Sequence, residues 1–290
     1  MDSNVLSVNL KQAKWSESTE IGGFRWTAIS NNSCRSHQKK RRCILVSCRP
    51  TSESHTQLWN CLIQGLLAVE VGSEGERITL CVWNGAFSSL RTTAHVHYFD
   101  FRGQNSEEEG CLKIDIIRSK IADLSSPRNK LLRGINDGFK VIVEGQAMWL
   151  SKQVLGCHSD YFHSLFKAEN AKIPRLEVNI DELLHFLTLV YQLDTRTDKT
   201  TIIYLLKLAD EYQCEYVLQR CAEYLENPEA ELTRIEKICF ADRYKLHRTV
   251  MEIVKKATYS QRRQLVEAHR TELSNFTLDF LFEVMSFKLT

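Results

Sequence analysis

The chain has 290 residues, of which 43% are hydrophobic and 26% charged, with 38 basic side chains against 36 acidic ones. This composition is typical of a globular protein with room for two domains. The near-balance of charge gives no electrostatic argument for nucleic acid as the main partner. No run of 18 apolar residues occurs and the first residues lack a signal-peptide pattern, so we expect no membrane partner and a cytoplasmic or nuclear location.

Ten cysteines are spread along the chain, and no two of them form a C-x-x-C pair. Zinc sites usually bring together close pairs of cysteine or histidine, and intracellular chains keep their thiols reduced. We therefore predict reduced, buried cysteines that behave as small hydrophobic side chains and expect no cofactor. A metal site is the minor alternative.

The N-terminal part of the chain is built from short apolar runs separated by Gly, Ser or Asn clusters. The clearest runs are Phe24–Ile29, Cys43–Cys48, Gln64–Val71, Ile78–Trp83, Ala94–Phe101 and Leu112–Arg118. Alternating or β-branched runs bounded by turn residues indicate strands, and several in succession favour an antiparallel sandwich. We predict a β-sandwich over residues 1–121. Residues 122–136, which contain Pro127 and Gly134, are then a linker with a short helix.

Residues 137–227 change to a mixed pattern that predicts an α+β, mainly helical domain. The run Phe139–Glu144 reads as a strand, Gly145-Gln146 as a tight turn and Ala147–Leu150 as the returning strand. Ser151 is placed to cap a helix. A third strand is predicted at 176–180, followed by a helix capped by Asp181.

Apolar residues at helical spacing then predict two helices, at 202–212 and 216–225, and Pro228 ends the second. Residues 228–290 are predicted to form a C-terminal helical extension, with helices near 234–244, 248–258 and 278–287.

The second part of the chain resembles the BTB/POZ family. Its V-L-x-x-x-S-x-x-F-x-x-x-F pattern is filled by Val154, Leu155, Ser159, Phe162 and Phe166. The run Tyr204–Gln213 is similar to the family segment L-L-x-L-A-D-x-Y/F-Q, and the similarity continues over Arg220–Leu225. Three motifs in this order over some ninety residues are a specific signal.

The first part resembles the MATH (meprin and TRAF homology) family over a shorter stretch. Ile21–Trp26 is similar to that family's G-G-F/Y-x-W strand, and Trp59 with Cys61 fits its later W-x-C strand. An unrelated β-sandwich is the alternative. MATH followed by BTB is an arrangement typical of a family expanded in nematodes.

These resemblances imply a non-enzymatic adaptor of cullin-3 ubiquitin ligases, in which the BTB domain forms a homodimer and docks the cullin while the MATH domain captures a substrate protein. No catalytic residue is then expected. The implied dimer-interface residues are Leu131, Leu132, Val154 and Leu155. The implied cullin-docking residues are Phe166, Lys167, Glu169 and Tyr191. The implied core motif comprises Ser159, Phe162, Leu208 and Ala209.

The chain departs from the family at the implied docking segment, residues 167–174. This segment is shorter than in nematode relatives, and Lys167 stands where a large apolar residue is expected two positions before Glu169. A dimeric BTB scaffold that does not bind cullin is therefore the alternative function. Gly138 occupies a position that is commonly Asp, with Asp137 one residue earlier, and Trp149 replaces a common His. The basic run Lys39–Arg42 is interpreted as a solvated loop, with a nuclear signal as the alternative.

Overall fold

A computed structural model describes residues 4–10, 12–31, 41–71, 76–99, 109–134, 136–167 and 173–286. The chain divides into two compact units, Met1–Ile135 and Asn136–Thr290. Within the described ranges, no helix combines the length and the apolar character needed to cross a bilayer.

The described part of the first unit forms two antiparallel four-stranded sheets. The strands are β1 (Val5–Asn9), β2 (Thr19–Ile21), β3 (Phe24–Asn31), β4 (Arg41–Pro50), β5 (Gln57–Val71), β6 (Glu76–Ser88), β7 (Thr93–Phe99) and β8 (Glu109–Asp123). One sheet has the order β1-β8-β5-β6 and the other has the order β2-β3-β4-β7. The predicted antiparallel sandwich is confirmed.

Alternation along the strands forms the core of this unit. In β3, the side chains of Phe24, Trp26 and Ala28 are fully buried, while Arg25 is exposed between them. The indole ring of Trp26 packs edge-on against Phe87 of the opposite sheet, with ring centroids 5.2 Å apart. Burying the inward side chains of both sheets against one another is what stabilises such a sandwich.

Two strands were missed in the sequence, and five of the six predicted strands are shorter than the strands observed. One missed strand is β1, where Val5–Asn9 pairs with β8. The three-residue strand β2 carries too little pattern to detect. The predicted run Gln64–Val71 covers only the second half of β5, which begins at Gln57, and the pairing of β5 with β8 shifts register between Leu62 and Ile63, just before that run. The last two residues of the predicted Ala94–Phe101 strand lie outside the described residues.

The linker helix predicted within 122–136 is wrong for the residues described there. Residues 124–134 form successive turns, in which backbone N–H groups of Ser126, Asn129 and Leu132 each donate to the carbonyl three residues earlier. Such isolated i to i+3 bonds close single turns without continuing into a helix.

The second unit begins with a hairpin and continues as helices. Its strands are β9 (Gly138–Val143), β10 (Gln146–Ser151) and β11 (Arg175–Leu176), in the sheet order β10-β9-β11. Its helices are α1 (Lys152–His158), α2 (Asp160–Lys167), α3 (Ile180–Val190), α4 (Thr201–Glu211), α5 (Glu215–Glu226), α6 (Arg234–Arg243), α7 (His247–Lys256), α8 (Tyr259–His269) and α9 (Asn275–Ser286). The fold class predicted for this unit is confirmed, whereas α8 was missed because its sequence is mostly polar.

Local chemistry sets the boundaries of the first elements. Ser151 caps α1 as predicted, because its Oγ accepts a bond of 3.1 Å from the N–H of Val154. The predicted cap Asp181 is wrong: Asn179 precedes α3, and its Oδ1 accepts from the N–H groups of Asp181 and Glu182. The hairpin turn is centred on Glu144-Gly145, whose positive φ angles suit a tight two-residue turn.

The described cysteines agree with the predicted role only in part. Eight are free thiols, of which four are buried, three are half-buried and one, Cys157, is exposed. Burial raises the pKa of Cys214 to about 11 and that of Cys221 to about 12, so both stay protonated at neutral pH. Cys43 differs from the prediction because it is disulfide-bonded, and its partner lies outside the described residues.

The residue Lys245 offers a stability test at the end of α6. It has a left-handed φ of 56°, and the N–H groups of Lys245 and Leu246 donate to the carbonyls of Asp242 and Ala241. This is a Schellman ending, in which glycine avoids the strain of a Cβ. We expect Lys245→Gly to raise the free energy of unfolding by about 0.5–1 kcal/mol in urea denaturation. Lys245→Ala keeps the Cβ, so an equal gain in that control would contradict the explanation.

Candidate protein-interaction surfaces

At the start of the second unit, a buried carboxylate bonds to the beginning of the first helix. Asp137 is only 4% exposed, and it accepts a bond of 2.6 Å from Ser151 Oγ and one of 2.8 Å from the N–H of Gln153. Its carbonyl oxygen accepts from the N–H of Lys152. Asp137 therefore joins the beginning of β9 to the first turn of α1, one residue before the position where sequence comparison places an Asp. A carboxylate near a helix N-terminus is also favoured by the helix dipole.

The predicted docking residue Tyr191 contacts the same segment, through Ser151. It follows the last turn of α3, and its hydroxyl accepts a bond of 2.9 Å from the N–H of Ser151. Burial raises the pKa of the Tyr191 phenol well above its usual range. The hydroxyl thus has an internal partner while the side chain keeps part of its surface, and a docking role for Tyr191 stays a prediction.

Aromatic rings connect α2 to the hairpin and to the end of α4. Phe162 is fully buried, and its ring centroid lies 5.0 Å from that of Tyr212 and 5.8 Å from that of Phe166. The ring of Phe166 also lies 4.7 Å from Phe139 of β9. Phe139 and Phe166 are only half-buried. Phe166 is therefore held in place by two rings while offering part of its surface, which is an arrangement suited to a preformed contact.

The remaining motif residues lie in the core of this unit. Ser159 separates α1 from α2, and its hydroxyl donates to the carbonyl of Tyr212 and accepts from the N–H of Phe162. Leu208 and Ala209 are buried on the inner face of α4. Nothing in these contacts leaves the Ser159 hydroxyl available for chemistry.

The residues proposed for cullin docking are only partly visible. Lys167 is exposed at the last position of α2, while Glu169 lies outside the described residues. The chain is described again from Ile173, which is 47% exposed, and it rejoins the sheet where the N–H of Ile142 donates to the carbonyl of Pro174. The described margins of this segment thus present one charged and one apolar side chain to solvent.

The four proposed dimer residues differ in how much surface they expose. Leu131 and Leu155 are buried within the single chain, whereas Leu132 and Val154 are half-buried. A partner subunit would contact the residues that still have surface to cover, so Leu132 and Val154 are the better candidates. Trp149 is also half-buried, on the hairpin opposite Lys140.

Sequence reasoning missed a group of charges on the first unit. Arg25 of β3 stands directly opposite Arg49 of β4. Ser47 pairs with Thr93, and the N–H of Cys48 donates to the carbonyl of Thr92. Continuing this register places Arg91, which lies two residues before β7 and bridges Ser88, on the Arg49 side of the sheet. We call Arg25, Arg49 and Arg91 the arginine row; all three are exposed. Strand register alone brings them together, because they lie far apart in the sequence.

Within the described ranges, no group of three or more His, Cys, Asp or Glu side chains is arranged to hold a metal ion.

Comparison with known proteins agrees with these features. Residues 138–229 match the model of the BTB/POZ domain family. The chain is 23% identical over 269 residues to BTB and MATH domain-containing protein 36 of Caenorhabditis elegans, an alignment covering 82% of this chain and 80% of that protein. It is 25% identical over 111 residues to BTB and MATH domain-containing protein 38 of the same organism, which covers 37% and 28% respectively. The chain therefore carries a BTB/POZ domain and, over most of its length, resembles proteins that join such a domain to a MATH domain.

Proposed function

We propose that this chain is a non-enzymatic adaptor of a cullin-3 ubiquitin ligase. In this proposal the BTB domain self-associates and docks the cullin, and the β-sandwich captures a substrate protein. The observation that carries the proposal is the ring cluster of Phe139, Phe162 and Phe166. It holds a half-exposed aromatic side chain in a fixed position next to the segment implied to dock the cullin.

The general form of the proposal rests on the comparisons. A BTB/POZ match together with a relative named for both BTB and MATH domains supports a role in protein interaction. Cullin binding is the finer step, and support for it comes from the geometry around Phe166. Because that ring is already fixed by two neighbours, binding would not have to restrict its rotation, which lowers the entropic cost of association.

A dimeric scaffold without a cullin is the second candidate function. The observation in its favour is Lys167, which places an exposed ammonium where the resemblance to the BTB/POZ family implies a large apolar residue. An ammonium is strongly hydrated, and burying it in an apolar contact without a partner is costly.

The two candidates differ in whether purified chain binds purified cullin-3. We expect binding in isothermal calorimetry, and we expect Phe166→Ala to weaken it about tenfold or more, because buried aromatic anchors carry much of an interface. The matched control is Phe276→Ala, which removes a partly exposed ring from α9. Circular dichroism should show that both variants remain folded.

No binding by the wild-type chain, under conditions where an established BTB adaptor binds, would reject the cullin proposal and leave the scaffold. Equal weakening by Phe166→Ala and Phe276→Ala would reject the assigned surface. Light scattering that returns the mass of one chain at micromolar concentration would reject self-association in both candidates.

A further inference from the structure

The arginine row lies on the outer face of the sheet β2-β3-β4-β7. Neighbouring strands are about 4.8 Å apart, so the three side chains span about 10 Å across the sheet. The only side-chain bond described for the row runs from Arg91 Nε to the carbonyl of Thr93, at 2.8 Å. Glu20 stands opposite Arg25 on β2, although no ion pair between the two is described. Strand register places no acidic side chain of the described strands opposite Arg49 or Arg91.

Such a row is unfavourable in the isolated unit. Like charges directly opposite one another on a sheet destabilise it, and three arginines repeat that repulsion twice. The described strands place no acidic side chain in register with Arg49 or Arg91, and a ligand that carries a carboxylate would supply that counter-charge, since guanidinium groups bind carboxylates with strong, directed hydrogen bonds.

Along the strands, the side chains on this face change from basic to hydroxyl-bearing and then to apolar. Two residues along each strand, Thr27, Ser47 and Thr93 stand opposite one another and form a row of hydroxyls. Two residues further, Ile29 pairs with Leu45, and both side chains are half-buried, while the exposed His95 of β7 stands opposite Leu45 at the edge of this row. Residues two apart on a strand are about 6.7 Å apart, so basic, hydroxyl and apolar rows follow at about that spacing.

We infer that this face binds an extended acidic peptide segment of a partner protein. A peptide aligned with the strands would place one side chain on each row, because its own same-side residues have the same spacing. The ligand then carries an Asp or Glu, a small polar residue two positions away and an aliphatic residue two positions beyond that. This inference rests on the proposed role of the β-sandwich in capturing a protein, and it names the chemistry of that ligand.

Nucleic acid is the competing ligand for an arginine row. The apolar pair Ile29 and Leu45 on the same face favours a peptide, because a phosphate backbone has no aliphatic group to place there. The formal net charge of the whole chain is only +2, which gives little long-range attraction for a polyanion.

The test uses the full chain and fluorescence anisotropy with three degenerate peptide libraries, in which x is a mixture of uncharged residues. The libraries are Glu-x-Ser-x-Leu, Lys-x-Ser-x-Leu and x-Glu-Ser-Leu-x. We expect the first to bind about tenfold more tightly than the other two, with weaker binding at high salt. Combining Arg25→Gln with Arg49→Gln should remove that preference. The control Arg118→Gln changes an exposed arginine of the other sheet, opposite Leu62, and should leave the preference unchanged.

Thermal unfolding shows whether the double variant loses peptide binding because the arginines are gone or because the protein no longer folds. We expect the double variant to unfold at the same or a higher temperature than the wild type, because it removes repulsion. Equal affinity for the three libraries would overturn the inference, as would an acidic preference that survives the double variant. Oligothymidylate that binds the same arginines more tightly than the first library would overturn the peptide assignment. Cullin binding does not use this face, so its absence with peptide binding intact would reject the adaptor proposal alone.

Discussion

Replacing Phe162 with alanine is expected to lower the free energy of unfolding of the second unit by about 3–5 kcal/mol. Phe162 is fully buried, and its ring packs against Tyr161, Phe166 and Tyr212. Removing the ring loses buried apolar surface and leaves a cavity whose walls are themselves large rings held by other contacts. The loss should appear in urea denaturation followed by far-ultraviolet circular dichroism, which reports mainly on this helical unit.

Phe282→Ala is the matched control, because it removes the same ring from α9, where the side chain is 46% exposed. We expect that variant to lower the free energy of unfolding by less than about 1 kcal/mol. A similar loss in both variants would mean that Phe162 has no special part in the core. The aromatic cluster would then be a poor explanation for the position of Phe166.

The second large effect is expected in the other unit, from Trp26→Ala. The indole is fully buried between the two sheets, packs against Phe24 and Phe87, and donates its Nε1–H to the carbonyl of Ile21. We expect the free energy of unfolding of the β-sandwich to fall by about 3–5 kcal/mol, measured by tryptophan fluorescence during urea denaturation.

Trp15→Ala provides the comparison, since Trp15 is 47% exposed and each variant leaves four tryptophans as reporters. We expect it to change the free energy of unfolding by less than about 0.5 kcal/mol. A Trp26→Ala protein as stable as Trp15→Ala would contradict the packing described for the sandwich.

The two variants also probe the division into units. Each unit has its own buried rings. The decrease in the free energy of unfolding caused by Trp26→Ala should therefore appear in tryptophan fluorescence. The decrease caused by Phe162→Ala should appear in far-ultraviolet circular dichroism. Identical shifts of both signals in both variants would show that the units unfold as one.

Sequence reasoning recovered the elements whose patterns are local. The Gly145 turn, the Ser151 cap and the helical spacing around Leu205 each involve neighbours within a few residues, and all were found, although the turn was placed one residue late. It failed where the signal is short or interrupted, as in β2 and in the part of β5 that precedes the register shift between Leu62 and Ile63. The linker helix was wrong because its polar composition does not distinguish successive turns from a short helix.

The candidate surfaces were predicted unevenly for a related reason. The motif around Phe162 and Phe166 is contiguous, so its residues could be named from sequence alone. The arginine row could not, because Arg25, Arg49 and Arg91 become neighbours only once the pairing of three strands is known. The basic run Lys39–Arg42, in contrast, can be recognised from the sequence, because its residues are contiguous and no knowledge of strand pairing is needed.

A peptide bound at the arginine row would also lengthen the lifetime of the folded protein. A peptide that binds only the folded sheet contributes to its stability through mass action, by about 2.7 kcal/mol at a free concentration one hundred times its dissociation constant. Because Arg25 and Arg49 lie on the paired strands β3 and β4, and Arg91 lies just before β7, losing the pairing of these strands would release the ligand. The empty protein would then open more often than the loaded one, and proteases would remove the adaptors that have no cargo first.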